Sequence, residues 1–353
     1  MIYANARFLT QDITGVQRFG IEISRNLKKM MGNDICFVSP NNTKHPELVK
    51  ELDVQFVGNK SGYYWEQIEL PNFLKKQGKP LLVNFASTAP IAYSNQISTV
   101  HDAAYLRFPE GFSKAFYWTY KLLIPMVCKK SRAVVTVSEF SKKEISLMMG
   151  VPLNKLFVVY NAVDCQKFQP IVNSSEKGNY FLCVSSVSYR KNLKLVLEAF
   201  ALKQDVFKNT KLYIIGELKG KSFNNEDLQN YLSLPNVKLL GRVSDNELIN
   251  YYRNSIAFIY PSFYEGFGIP PLEAQACGCP VIVAKTSALP EVFEESALYC
   301  DPYDANDLGN KMEKLKDDLI SSNHFKEMGI TNSQRFTWEQ NAFDFFEVIK
   351  KFN

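Results

Sequence analysis

Short apolar runs alternate with helical stretches along almost the whole of this chain, and that alternation constrains its fold more than any other feature. After a short opening strand, Met1–Leu9, strand-like runs fall at Ile35–Ser39, Leu81–Phe85, Ile97–His101, Ala133–Ser138 and Phe157–Asn161. They continue at Tyr180–Ser185, Lys211–Gly216, Val237–Leu240, Ala257–Tyr260 and Val281–Ala284. Helical patterns lie between them, among them Gln17–Met31, Ser141–Met149, Asn192–Ala201 and Ser244–Asn254. Several of the strands are β-branched without polar alternation, as expected when both faces of a sheet are covered. The pattern therefore predicts an α/β protein with doubly wound parallel sheets. With 353 residues the chain exceeds one ordinary core and suits two domains. The break is expected between Asp164 and Lys177, where Asn173–Lys177 is polar linker material. In such sheets ligands bind beyond the carboxyl ends of the strands.

Composition excludes several classes. No apolar run reaches the roughly 18 residues that would span a bilayer, and the start lacks the basic region and long apolar core of a signal peptide. The seven cysteines are odd in number and sit mostly in apolar runs, which suits reduced thiols in a cytoplasmic protein. Cys277 and Cys279 have the wrong spacing for a zinc knuckle, and there are only three histidines, so no structural metal is expected. Charge is uneven: residues 1–165 carry 20 Lys and Arg against 13 Asp and Glu, whereas the remainder carries 21 against 23. The first half should therefore meet an anionic partner. No nucleic-acid module is recognisable, and a phospholipid surface or lipid-diphosphate acceptor fits better.

The chemistry concentrates in Glu265-Gly266-Phe267-Gly268-Ile269-Pro270-Pro271-Leu272-Glu273. An apolar strand precedes this run. A short helix follows, with Pro270 and Pro271 in its first turn and Gly278 after its end. The backbone N–H groups of Phe267, Gly268 and Ile269 would lie at the positive end of a helix dipole, suited to an anion. Glu265 and Glu273 would accept hydrogen bonds from sugar hydroxyls. The plainer reading is a tight turn with two solvated glutamates.

Arg190 and Lys191 follow a strand and a serine-rich loop and precede Asn192, a candidate N-cap. They are placed to neutralise a diphosphate, though alone such a pair is usually a solvated face. Gly15, read as ending a strand and opening a helix, gives either close approach to donor phosphates or a simple turn. His101 closes a strand, either as a core histidine or as a sugar-binding group beside Asp102. Ser141 followed by Glu144 reads as a capping box. The stretch Phe112–Lys130 mixes aromatics with Lys114, Lys121, Lys129 and Lys130. It is either a helix lying on an acidic membrane or an ordinary helix burying its aromatics, and Pro125 would kink it.

Taken together these segments resemble the retaining glycosyltransferases of the GT-B fold, in the GT4 or "glycosyl transferases group 1" family. The glutamates match its E-x7-E motif at Glu265 and Glu273, and Ser185–Leu193 is similar to its donor-diphosphate segment. Gly278–Ile282, Ala288–Val292, Thr14–Phe19 and His101–Asp102 also fall where that family has them. The chain departs from many relatives in having Gly15 alone where they carry two glycines.

The resemblance implies two Rossmann-like domains facing a cleft: residues 1–165 for the acceptor and 166–336 for the nucleotide sugar. A C-terminal helix, 337–353, crosses back to the first domain. It implies that Arg190 and Lys191 hold the diphosphate and stabilise the leaving group, with Glu265 and His101 at the sugar. Gly15, Gly266, Phe267, Gly268 and Ile269 would approach the donor phosphates and sugar, and Glu273 the ribose. No residue suits a covalent nucleophile, so same-face attack with the leaving phosphate as base is expected, with no metal cofactor. The closest likeness is to bacterial O-antigen enzymes. That suggests a mannosyl group from GDP-mannose, with rhamnosyl or glucosyl behind it, transferred to a lipid-linked saccharide at the inner leaflet of the cytoplasmic membrane. The alternative is a nucleotide-sugar 2-epimerase on the same architecture.

Overall fold

The structure is a computed structural model, which describes residues 1–171, 178–184, 189–216 and 226–353. The expected linker Asn173–Lys177 and the serine-rich Ser185–Ser188 lie outside the described residues. The chain divides into two compact units, Met1–Ala162 with Thr337–Asn353, and Val163–Phe336.

Unit 1 holds strands β1 (Ile2–Asn5), β2 (Ile35–Ser39), β3 (Gln55–Phe56), β4 (Leu82–Asn84), β5 (Gln96–Thr99), β6 (Ala133–Thr136) and β7 (Leu156–Val158). They form one parallel sheet in the order β3-β2-β1-β4-β5-β6-β7. The order reverses between β1 and β4, where Asn5 lies opposite Asn84. Its principal helices are α1 (Gly15–Met31), α2 (Lys114–Lys130) and α3 (Glu139–Met149). The apolar face of α1 buries Phe19, Ile23 and Leu27 at helical spacing. Against that face packs the C-terminal helix Trp338–Phe352, with Phe19 and Trp338 ring centroids 6.3 Å apart and Phe85 and Phe345 at 5.4 Å. Thr337 caps this helix, and Asn341 Nδ2 donates to the Tyr160 carbonyl at 2.8 Å. Aromatic burial of this size is what fastens a terminal helix to its unit.

Unit 2 holds β8 (Tyr180–Val184), β9 (Lys211–Ile215), β10 (Val237–Gly241), β11 (Ala257–Tyr260), β12 (Val281–Ala284) and β13 (Leu298–Cys300). Its sheet is also parallel, in the order β10-β9-β8-β11-β12-β13, and reverses between β8 and β11. Helices α4 (Leu193–Leu202), α5 (Asp245–Asn254) and α6 (Ile269–Ala276) cover it. The core gathers Phe181, Leu197, Phe200, Phe207 and Ile214, and the Phe200 and Phe207 rings stack 5.3 Å apart.

Two local expectations change. Gly15 does not end a strand: β1 stops at Asn5, whose side-chain oxygen accepts the Arg7 amide at 3.1 Å, and a 3-10 turn, Arg7–Thr10, intervenes. Gly15 instead starts α1 behind Thr14, which forms a capping box with Gln17. The cap of α3 is Ser138, accepting from Ser141 N at 2.9 Å, so Ser141 lies inside the helix and Glu144 binds Arg107 instead (2.7 and 2.8 Å). Helix α2 runs through Pro125. The two-residue β3, exposed at both positions, and the three-residue β13 are too short to be read from sequence.

Candidate active site

The reversal of strand order in unit 2 is where a doubly wound sheet leaves a crevice, and the chain fills it with charge. Beyond β8 a 3-10 turn, Tyr189–Lys191, presents two cations, and beyond β11 the loop brings Glu265 to them. Arg190 Nη1 lies 3.0 Å from Glu265 Oε2, and Lys191 Nζ lies 2.7 Å from Oε1, so each carboxylate oxygen faces its own cation. One backbone and one side-chain hydrogen bond lock the two loops together: Phe263 N donates to the Arg190 carbonyl (2.8 Å), and Arg190 Nη1 donates to the Tyr264 carbonyl (2.8 Å). Glu265 is held from behind, its amide donating to Ser287 Oγ at 3.0 Å.

All three charged side chains are largely buried, with 8 to 19 % of each exposed. Burial alone would raise the Glu265 carboxyl, but the charges of Arg190 and then Lys191 outweigh it and hold it at about 2. The group thus carries a net charge of +1 in a site of low dielectric, where an added anion is strongly attracted.

Two residues complete the arrangement. The buried Tyr260 hydroxyl accepts from Lys191 Nζ, which also sits 4.6 Å from the centre of its ring. Burial pushes the Tyr260 hydroxyl well above its ordinary range, so it is neutral. Asn192 does not cap α4 with its side chain. Its backbone is left-handed (φ 57°, ψ 40°), and Nδ2 donates to the carbonyls of Pro261 (3.1 Å) and Pro302 (2.8 Å). Asn192 therefore ties the loops after β11 and β13 to the cation turn. Neither role is visible in the sequence, because each depends on partners 69 or more positions away.

The glycine run is shaped by packing. Gly268 precedes α6 with φ 113°, and a Cβ there would come within 2.8 Å of Leu289 Cδ2. Phe267 is buried edge-on against Phe336 at 5.3 Å, and Gly266 is buried beside it. Ile269 opens α6, with proline at its first turn, as the sequence predicts. Glu273 lies in the second turn of α6, buried, where its charge adds to burial in raising the Tyr252 hydroxyl.

Two sequence candidates belong to unit 1. His101 is buried, its Nε2 3.0 Å from the Phe85 carbonyl and its ring 5.1 Å from Phe19. Burial lowers its pKa, so it is neutral near pH 7. Asp102 accepts the Ala104 amide at 2.9 Å. Gly15 is exposed at the start of α1.

A cation pair on a buried carboxylate, at the strand-order reversal of a Rossmann-like unit, is an arrangement able to receive an anionic group. The family described as glycosyl transferases group 1 matches residues 164–351, and glycosyltransferase family 4 matches residues 13–167. The chain belongs to the glycosyl transferases group 1 family, and it is a glycosyltransferase of the GT-B fold. It is 32% identical over 266 residues to the O-antigen chain mannosyltransferase RfbU of Salmonella typhimurium, covering 74% of this chain and 72% of that one. It is 25% identical over 269 residues to the O-antigen chain mannosyltransferase B of Escherichia coli, covering 71% and 68%. Among solved structures, Anabaena Alr3699/HepE in complex with UDP and glucose superposes with a TM-score of 0.75 at 16% identity, over 99% of each chain. WaaG, a glycosyltransferase involved in lipopolysaccharide biosynthesis, superposes with a TM-score of 0.74 at 15% identity, over 99% of each chain. Nothing in the fold, the site or these relatives supports the epimerase reading.

Proposed function

We propose that the protein transfers a mannosyl group from GDP-mannose to a hydroxyl of a lipid-linked saccharide, with retention of anomeric configuration. The single observation that carries the donor site is the Arg190–Glu265–Lys191 cluster at the carboxyl ends of β8 and β11. A diphosphate entering there draws both cations onto its oxygens. Glu265, released from them, then accepts hydroxyls of the sugar. As the bond to the anomeric carbon breaks, negative charge grows on the leaving phosphate, and two preorganised cations meet it without reorganising solvent. The backbone at Gly266–Ile269 and the start of α6 supply partial positive charge, and Glu273 binds the ribose. The leaving phosphate takes the acceptor proton, so attack comes from the face it leaves. With the charge met by side chains, turnover needs no metal. Mannose is favoured over rhamnose or glucose because the two O-antigen relatives named above are mannosyltransferases.

The acceptor's lipid places the enzyme at a bilayer surface, and the face of α2 supports this. Lys114, Trp118, Leu122, Met126 and Lys130 recur every fourth residue, so they form one stripe. Trp118 is 55% exposed, Leu122 62% and Met126 43%. No acidic residue occurs between Glu110 and Glu139, while Lys121, Lys129 and Arg132 add to the end lysines. An apolar stripe within lysines suits an anionic lipid surface. The opposite face of α2 buries Leu123, Ile124, Val127 and Cys128 in the unit, which leaves the stripe for a surface.

The test is product analysis with a panel of GDP-, UDP- and dTDP-sugars and a membrane extract as acceptor. Mannose passing from GDP-mannose to lipid with its α-configuration kept is the expected result. Inversion, or conversion of the donor sugar without acceptor, contradicts the proposal.

A further inference from the structure

The strand order of unit 1 reverses between β1 and β4, the position at which unit 2 carries its cation pair between β8 and β11. By the same topological rule this edge is a place for a ligand. It too holds a buried polar cluster, of different charge. Arg7 Nε is 2.9 Å from Glu66 Oε1, and its Nη2 donates to Thr88 Oγ1. Asn5, the last residue of β1, donates through Nδ2 to Glu66 Oε1 (3.2 Å) and to Asn84 Oδ1 at the end of β4 (3.0 Å). One ion pair cancels itself, so the cluster suits a neutral ligand rather than a phosphate.

Glu66 is only 1% exposed, and its loading is lopsided. Oε1 accepts from both Arg7 and Asn5, whereas Oε2 is buried with no hydrogen-bond partner. A buried carboxylate oxygen left without a donor calls for one from outside the chain. Glu66 stands in a five-residue π-helical turn, Trp65–Glu69, a rare element that often marks functional positions. The fully buried Trp65 anchors that turn, its Nε1 donating to the Val57 carbonyl at 2.6 Å.

Over this cluster lies Tyr63, its ring 5.3 Å from the Arg7 guanidinium, yet 44% exposed. The neighbouring Tyr64 is 57% exposed. A half-exposed aromatic ring beside hydrogen-bonding groups is the combination that recognises a pyranose. The flat C–H face of the sugar covers the ring, and its hydroxyls reach the polar edge. We propose that Tyr63, Arg7 and Glu66 form a subsite for a neutral pyranose ring of the acceptor. Tyr63 is the platform, and Glu66 Oε2 accepts from a sugar hydroxyl. This rests on the transferase reading for the word acceptor, but the binding can be observed without any transfer.

The test is saturation-transfer NMR on the full chain, with GDP present and methyl α-D-mannopyranoside and methyl α-D-glucopyranoside as probes. Irradiating the protein's aromatic protons should carry saturation to the ring C–H signals of at least one glycoside. Tyr63→Ala should reduce that signal at least tenfold. Glu66→Gln should weaken it while circular dichroism and GDP binding stay as in the wild type. No signal from either glycoside with the wild-type protein, or an undiminished one with Tyr63→Ala, overturns the subsite. An undiminished signal with Glu66→Gln overturns the part given to its carboxylate. If every nucleotide sugar fails as donor while the glycoside signal persists, the donor reading falls and the subsite stands.

Discussion

Glu265 has both oxygens engaged by the cations it was expected to work beside. A carboxylate held at about 2 is stabilising in the folded state. Its contribution is fully present above the ordinary carboxylate range and is lost as pH falls from about 4.5 toward about 2. Glu265→Gln should therefore lower the thermal stability of the protein at pH 7, since removing one member of a buried pair costs about 3–5 kcal/mol. The gap between variant and wild type should close as pH is lowered toward 2. Thermal unfolding at several pH values checks this, and a gap that stays constant with pH contradicts the ion-pair account. The sequence singled out all three residues from their types and their places after strands. It could not show that they pair, because Lys191 and Glu265 are 74 positions apart and only the sheet order brings them together. The same limit hid Arg7, Glu66 and Tyr63 entirely: no motif marks them, and Arg7 and Glu66 are 59 positions apart.

Elements show where a local rule was enough. The proline pair fixes the start of α6, and the apolar run Ala257–Tyr260 fixes β11, because each signal is contained in the segment itself. Asn192 holds the N-cap position of α4, but its side chain bonds elsewhere. Ser138 rather than Ser141 caps α3, because several residues near a helix start satisfy the same rule and packing selects one. Gly268 makes the αL-side backbone before α6 possible. Gly268→Ala should destabilise the protein by about 1–3 kcal/mol through backbone strain and the clash with Leu289, read as a lowered melting temperature. An unchanged melting temperature contradicts that packing. For α2 the expectation is salt-sensitive co-flotation with phosphatidylglycerol vesicles, because each cation near such a surface contributes about 1 kcal/mol and salt screens it. The variant Leu122→Asp should stay in the soluble fraction at low salt. If the wild type stays there too, the stripe does not dock on lipid.

At the scale of the whole molecule, two parallel sheets repeat one plan, each reversing its strand order beside a buried charged cluster. The alternation of strand and helix made both sheets legible, since it is written into nearly every segment. The strand order itself was not, because neighbours such as β8 and β11 are set by tertiary packing. The proposed chemistry gives the leaving-group charge to Arg190 and Lys191 rather than to a metal. Chelation with EDTA should therefore leave turnover unchanged, whereas complete loss restored by Mg²⁺ or Mn²⁺ contradicts this chemistry.

The most direct test of the central claim, that Arg190 and Lys191 hold the donor diphosphate, is calorimetric titration of GDP-mannose into wild type, Arg190→Ala and Lys191→Ala. Removing one cation from a preorganised anion site costs about 2–4 kcal/mol in the transition state. Each substitution should weaken donor binding at least tenfold, which is about 1.4 kcal/mol, with the fold intact by circular dichroism. Binding and turnover at wild-type levels in both variants would contradict the account.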